Sequence, residues 1–311
     1  MARLPMMEPH IDGPYQRPVP SPPPPPGVRT YLDQVFATVR GYRPLRLDLR
    51  VPAGPGPWPL VVEIHGGAWW EGSRRRPPEV AEAVGFERRV LDRGYAVANV
   101  DYRLSREAPF PAQLHDVKAA LRWLRAFAGV LDLDPQRFAA WGDSAGGHLA
   151  ALAALTSADA GDLTGEIGVT GVSSAVQAVV SWYGVATLTG HLPDEPALPP
   201  AETPPAWLLG EAAGDRAAAE RASPVSHAHP AAPPFLCVHG TADDVVPYVH
   251  SELLAAALRE HGVRCDLRPV PSAGHGFEPS QARDLIDASL DFLDEVFGRR
   301  ASEEATVATL P

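Results

Sequence analysis

Hydrophobic and polar positions change period repeatedly along this chain, and the changes divide it into short strands alternating with helices. Leu45, Leu47, Leu49 and Val51 alternate with Arg46, Asp48 and Arg50, a period-2 pattern that predicts a half-buried strand. Short, mainly apolar runs follow at 60–64, 95–100, 138–141, 178–182 and 235–238. All are too short for ordinary helices, and most lie within two residues of a Gly, Asp or Pro, so they read as strands of a largely parallel sheet. The run 265–270 is more mixed in polarity and is predicted nearer the sheet's edge. Between these runs, 78–93, 111–127, 145–155, 248–261 and 280–297 place apolar residues three and four apart, which predicts helices. Gly94, Gly129, Gly262 and Gly298 follow the helix ends, where a left-handed cap is expected. Strands alternating with helices give an α/β class, a mostly parallel sheet covered on both faces.

One stretch breaks the alternation. Residues 184–234 are rich in Pro and Ala around an apolar knot at Trp207, Leu208 and Leu209. That is too long for a simple loop, so a partly helical insertion is expected, a small cap or lid over the C-terminal edge of the sheet. Residues 1–27 include the run Pro22 to Pro26, which favours polyproline II and cannot build a core. The expected organisation is a disordered leader at 1–27, one α/β domain at 28–298 carrying the insertion, and a flexible tail at 299–311.

Composition narrows the function classes. The 311 residues carry a formal charge of −11, which argues against a general nucleic-acid binder, since such proteins need a basic face. Cys237 and Cys265 cannot form a disulfide framework and lack the spacing of a zinc site, so buried free thiols are expected. No apolar run reaches the roughly 18 residues of a membrane span. Pro5, Glu8 and Pro9 interrupt the N-terminus where a secretory segment is apolar. The expectation is a cytoplasmic protein with no membrane partner; the oligomeric state stays open, and a homo-oligomer is compatible with the sequence.

The chemistry concentrates at predicted strand ends. Gly142-Asp143-Ser144-Ala145-Gly146 is a G-x-S-x-G between a predicted strand and helix, the context of a nucleophile elbow. A serine in so sharp a turn leaves no room for side chains two positions away, and the following helix N-terminus favours developing negative charge. The five residues alone also describe a Gly-rich turn that packs tightly or binds phosphate. His65-Gly66-Gly67-Ala68-Trp69-Trp70 follows the strand at 60–64. N–H groups of Gly66, Gly67 or Ala68, with that of Ala145, can converge on one oxyanion. His65 is read as orienting this loop.

A serine hydroxyl needs a base within hydrogen-bond reach. His275, flanked by Gly274 and Gly276 after the last predicted strand, is the best placed of eleven histidines, while His148 and His239 read as structural. The base needs a carboxylate to hold its tautomer, and Asp243 or Asp244 can supply it from the loop after 235–238. The order Ser, Asp, His along the chain is the α/β-hydrolase order.

On the motifs HGGAWWEGS (65–73), DYRLS (101–105), FPAQLHDVKAALRWL (110–124), WGDSAGGHLA (141–150), HGTADDVVP (239–247) and AGHGF (273–277), the chain resembles α/β-hydrolase esterases over roughly residues 30–298. It is similar to hormone-sensitive-lipase-like carboxylesterases and to bacterial feruloyl and acetylxylan esterase-like proteins. The resemblance implies Ser144 as nucleophile, His275 as base and Asp243 as acid, with Gly66, Gly67 and Ala145 at the oxyanion positions and no cofactor. Members nearer the lipases carry a third glycine where this chain has Ala68, which aligns its loop with the feruloyl-esterase and formamidase side. Relatives that act on plant polysaccharides are often secreted, which moves the expectation away from cell-wall substrates. Asp116 matches a family aspartate and is expected to brace its helix.

The leading expectation is a serine carboxylesterase taking small-molecule, short-chain esters through an acyl-enzyme, with Trp69 and Trp70 lining the substrate pocket or packing beneath the cap. The same three groups also serve an arylformamidase, another amidase or a serine peptidase. A non-catalytic ligand receptor is the different-class alternative, disfavoured because all three groups are retained.

Overall fold

The computed structural model describes residues 26–75, 79–158, 161–190 and 198–299. Residues 1–25 of the leader expected at 1–27 and residues 300–311 of the tail expected at 299–311 lie outside the described residues. Arg299 does not begin a free tail: it donates to the Arg93 carbonyl at 2.9 Å and its guanidinium lies 4.3 Å from the Tyr95 ring centre.

The apolar runs assemble into one eight-stranded sheet. Its strands are β1 (Val28–Ala37), β2 (Leu45–Pro52), β3 (Trp58–Ile64), β4 (Ala96–Val100), β5 (Leu133–Asp143), β6 (Ala178–Trp182), β7 (Phe235–Gly240) and β8 (Cys265–Val270), in the order β1-β2-β4-β3-β5-β6-β7-β8. From β4 to β8 neighbouring strands are parallel; β1 and β2 complete the sheet antiparallel. The mixed β8 sits at an edge, as its polarity predicts.

β1 was not apparent in the sequence, because Asp33 takes a left-handed φ of 57° and register shifts on either side of Gln34 and Val35 break the period-2 signal. In β2 the expected half-burial fails at Asp48, which is 1% exposed. Its carboxylate is drawn in by Arg75, which donates at 2.7 Å, and by Arg74.

Helices cover both faces. α1 (Glu79–Ala83) and α2 (Phe86–Asp92) replace the single helix expected at 78–93, because Gly85 adopts φ 70° between them. α3 (Ala112–Ala126), the short α4 (Ala128–Leu131) and α5 (Ala145–Leu155) come next, then α6 (Pro204–Leu209), α7 (Arg216–Arg221), α8 (Val249–Glu260) and α9 (Pro279–Val296). α3, α5 and α8 pack into one apolar core; α2 and α9 pack into a second on the opposite face. Gly94, Gly262 and Gly298 are left-handed as expected, but Gly129 lies inside α4 and the left-handed residue there is Asp132. Cys237 and Cys265 are buried free thiols, their sulfurs 3.8 Å apart across β7 and β8.

The insertion falls between β6 and β7, and its described part is helical in short pieces. The apolar knot is α6, with Leu208 and Leu209 buried, and the Phe110 N–H donates to the Leu208 carbonyl at 2.8 Å.

Candidate active site

The site grows from the C-terminal ends of the parallel strands. β5 ends at Asp143, and Ser144 turns the chain into α5 with φ 51° and ψ −117°, a left-handed backbone that costs a non-glycine residue about 1–3 kcal/mol. The flanking glycines are demanded by contact: a Cβ on Gly142 would lie 2.3 Å from the Gly146 carbonyl carbon, and one on Gly146 would lie 1.9 Å from the Ile64 oxygen. The Ser144 N–H is spent on the Trp182 carbonyl at 2.9 Å, which fixes the turn against β6.

Three side chains from three strand ends meet in line. His275 Nε2 lies 3.1 Å from Ser144 Oγ, and His275 Nδ1 lies 2.8 Å from Asp243 Oδ2. With Nδ1–H donating to the carboxylate, Nε2 is left to accept the serine proton. Asp243 is 7% exposed, and its other oxygen accepts the N–H groups of Val245 and Val246 at 2.9 Å each. Asp244 is exposed, so of the two aspartates left open by the sequence only Asp243 reaches the imidazole. His239 is buried beside this loop, bonded to Ser251 Oγ at 2.7 Å and to the Val246 carbonyl at 2.8 Å; burial lowers its pKa.

The loop after β3 lies against the elbow, with Gly67, Ala68 and Trp69 at φ 101°, 53° and 57°. One expectation is corrected here. The Gly66 N–H is not available to an oxyanion, because it donates to Asp143 Oδ1 at 3.1 Å. Gly67 and Ala68 are the loop residues that line the cavity beside Ser144, and Ala145 opens α5 on the other side. Glycine at 66 is required because a Cβ there would sit 2.4 Å from the Asp143 carboxylate. Burial raises the Asp143 pKa to about 6, opposed by the Gly66 N–H and by His275. In the sequence Asp143 is only the variable position of the G-x-S-x-G; its contact follows from its place between Ser144 and the loop after β3.

The tryptophans are likewise corrected: neither lines the cavity. Trp69 is 2% exposed and its indole N–H donates to His148 Nδ1 at 3.1 Å. The Trp70 ring packs 4.7 Å from that of Trp207 in α6, with the Arg106 guanidinium 4.7 Å away on it. Trp69 is thus packed onto α5 and Trp70 beside the insertion. His65 orients its loop, stacking 4.2 Å from Tyr102, whose hydroxyl donates to the His65 carbonyl at 3.0 Å; burial lowers the His65 pKa to about 4. Asp116 braces more than its own helix: it accepts the Arg103 N–H at 2.7 Å and a guanidinium bond at 2.7 Å, tying α3 to the segment after β4.

The cavity holds about 880 Å³ and is open, its wall mixing Glu71, Ser272, Glu278 and Gln281 with Tyr183, Val245 and Phe277. Among the described residues no group of three or more His, Cys, Asp and Glu is arranged to hold a metal ion, and no helix is long and apolar enough to cross a membrane.

A parallel sheet with a serine at a strand-to-helix elbow, a glycine-containing loop beside it and an aspartate-bonded histidine at its strand ends defines an α/β-hydrolase. The chain belongs to the BD-FAE family, which it matches over residues 47–258. It is 33% identical to the esterase LipQ of Mycobacterium tuberculosis over 248 residues, 78% of this chain and 56% of LipQ. The chain thus spans little more than half the length of the curated relatives it matches. Among solved structures, a truncated carbohydrate esterase from gut microbiota aligns with TM-score 0.75 and 26% identity, covering 92% of this chain and 98% of that one. Thermogutta terrifontis esterase 2, phosphoramylated by tabun, aligns with TM-score 0.71 and 27% identity, covering 91% and 99%.

Proposed function

We propose that this chain is a serine carboxylesterase that hydrolyses short-chain carboxylic esters through an acyl-enzyme. The observation that carries the reading is the hydrogen-bonded line from Ser144 through His275 to Asp243. Ser144 Oγ attacks the ester carbonyl carbon as its proton passes to His275 Nε2, which then returns that proton to the departing alkoxide. Asp243 opposes the charge on the imidazolium. The tetrahedral oxyanion takes hydrogen bonds from the N–H groups of Gly67, Ala68 and Ala145; losing one such donor typically costs about 2.7–4 kcal/mol of barrier. Water, deprotonated by the same histidine, then attacks the acyl-enzyme, and Ser144 leaves with the proton.

The named esterases among its relatives support this chemistry. The preference for short acyl groups is supported by the small residues that share the cavity wall with Ser144, among them Gly67, Ala68, Gly274 and Gly276. We read residues 184–234 as the cap of this site.

Ser144→Ala should reduce hydrolysis of p-nitrophenyl acetate and butyrate to the background rate while the circular-dichroism spectrum stays that of the parent. Fluorophosphonate labelling should disappear with it. Retained hydrolysis in the variant would overturn the reading.

A further inference from the structure

We propose that Trp69 and His148 are positioning residues that set the spacing between the two halves of the oxyanion hole, and that they tie this spacing to the insertion between β6 and β7. The inference rests on the esterase reading above.

The oxyanion donors come from two separate elements. Gly67 and Ala68 belong to the loop after β3, and Ala145 belongs to the start of α5. The loop carries three consecutive residues at positive φ, which a chain holds only where its surroundings impose it. Two sets of contacts do so at Trp69. Its carbonyl accepts the Ser105 N–H at 2.8 Å and the Ser105 hydroxyl at 3.2 Å, which anchors the backbone from outside the site. Its indole N–H crosses to His148 Nδ1 at 3.1 Å, between residues 79 apart in sequence. His148 lies one turn beyond Ser144 on the helix whose first N–H is that of Ala145, and its own N–H donates to the Ser144 carbonyl at 3.0 Å. The indole–imidazole bond therefore spans from the loop half of the hole to the helix half.

The second imidazole nitrogen reaches the insertion. His148 Nε2 lies 2.7 Å from the carbonyl of Ala222, the residue that caps α7. An imidazole that accepts at Nδ1 and donates at Nε2 must be the neutral Nε2–H tautomer, since an imidazolium would turn one N–H against another. His148 is fully buried, and burial lowers its pKa to about 4, so the tie is intact at neutral pH. With both nitrogens committed and the rings edge-on at 5.0 Å, the pair has no freedom left for substrate. Its effect on the reaction passes through the backbone it holds.

The test compares Trp69→Phe, His148→Leu and His148→Gln with the parent enzyme, using p-nitrophenyl butyrate and a trifluoromethyl ketone that forms a tetrahedral adduct. Trp69→Phe keeps a ring but removes the N–H, and His148→Leu removes both bonds. Each should lower kcat about 10- to 100-fold, less than the loss of a whole oxyanion donor, with KM within about twofold. Ketone affinity should fall by the same factor. A glutamine at 148 can accept from the indole and donate to Ala222, and should restore most of the loss. Unchanged kcat and ketone affinity in Trp69→Phe and His148→Leu would overturn the inference. So would a parallel loss of kcat, KM and melting temperature that glutamine does not repair, because that pattern belongs to packing alone. A readout independent of turnover separates this from failure of the esterase reading: ¹⁵N resonances of His148 should show Nδ1 bare and Nε2 protonated in the parent, with Nδ1 shifted in Trp69→Phe. A protonated Nδ1 in the parent sinks the inference even in an active enzyme.

Discussion

Glu63 and Asp143 illustrate how much of this site is decided by single buried carboxyls. Asp143 uses one oxygen to hold the Gly66 N–H, so the residue beside Ser144 also fixes the loop across from it. Glu63 is 6% exposed at the end of β3, where the Asn99 amide donates to it at 3.1 Å. Burial, reinforced by the nearby Asp143 carboxylate, raises the Glu63 pKa to about 8 from an ordinary value of 4.5. Folding therefore binds a proton at Glu63 between those two values, and its contribution to stability is lost as pH rises from about 4.5 to about 8. Glu63→Gln keeps a neutral hydrogen-bonding group and removes that titration. The melting temperature of the parent should fall more steeply than that of Glu63→Gln between pH 5 and pH 8.5; parallel curves would refute the assignment.

Among the elements, α5 and the loop after β4 do most to position the chemistry. α5 is apolar except for His148 and every residue from Ala145 to Leu155 is buried, so its register against β5 and β6 cannot slip without opening the core. The segment 101–105 supports the oxyanion loop from the other side: Ser105 holds Trp69, and Tyr102 holds the His65 carbonyl. That segment is fastened to α3 by the Arg103–Asp116 pair, with side chains 8% and 0% exposed. Removing one member of a buried pair leaves the other charge uncompensated, typically at about 3–5 kcal/mol. Asp116→Ala should therefore lower stability in urea by about that amount, and replacing both residues with leucine should recover part of it. Equal losses in the single and double variants would show that the pair carries no coupling.

Across the described residues, the parallel order β4-β3-β5-β6-β7-β8 delivers the loop after β3, Ser144, Asp243 and His275 to one edge of the sheet. The same arrangement leaves a second cavity of about 350 Å³ beside the one lined by Ser144, with an apolar wall that includes Val185, Leu188, Leu198 and Pro204. Val245, 65% exposed, belongs to the walls of both. Val245→Ala thins that shared wall, and apolar surface then becomes reachable from Ser144. The ratio of kcat/KM for octanoyl over butyryl p-nitrophenyl esters should rise severalfold, since each further methylene buried is worth up to about 0.8 kcal/mol. An unchanged ratio would mean that acyl chains do not approach that wall.

Local information sufficed wherever a residue's role depends on its near neighbours in sequence. The apolar runs specified the strands of the parallel part of the sheet, because burial on both faces leaves few other compositions, and the period-2 run specified the antiparallel β2. The glycines around Ser144 were legible because the turn is closed by residues two positions away. Chain order selected Ser144, Asp243 or Asp244, and His275 without coordinates. What the sequence left open were contacts between distant segments: which aspartate faces the imidazole, and that the Gly66 N–H is consumed by Asp143. The direction of the tryptophans belongs here too, with Trp69 turned inward onto His148 and Trp70 turned onto Trp207. β1 stayed hidden for a related reason, since its bulge is stabilised by pairing with β2 and leaves no period to read. A hydrogen bond across 79 residues has no local signature, so only the packed sheet and its covering helices decide it.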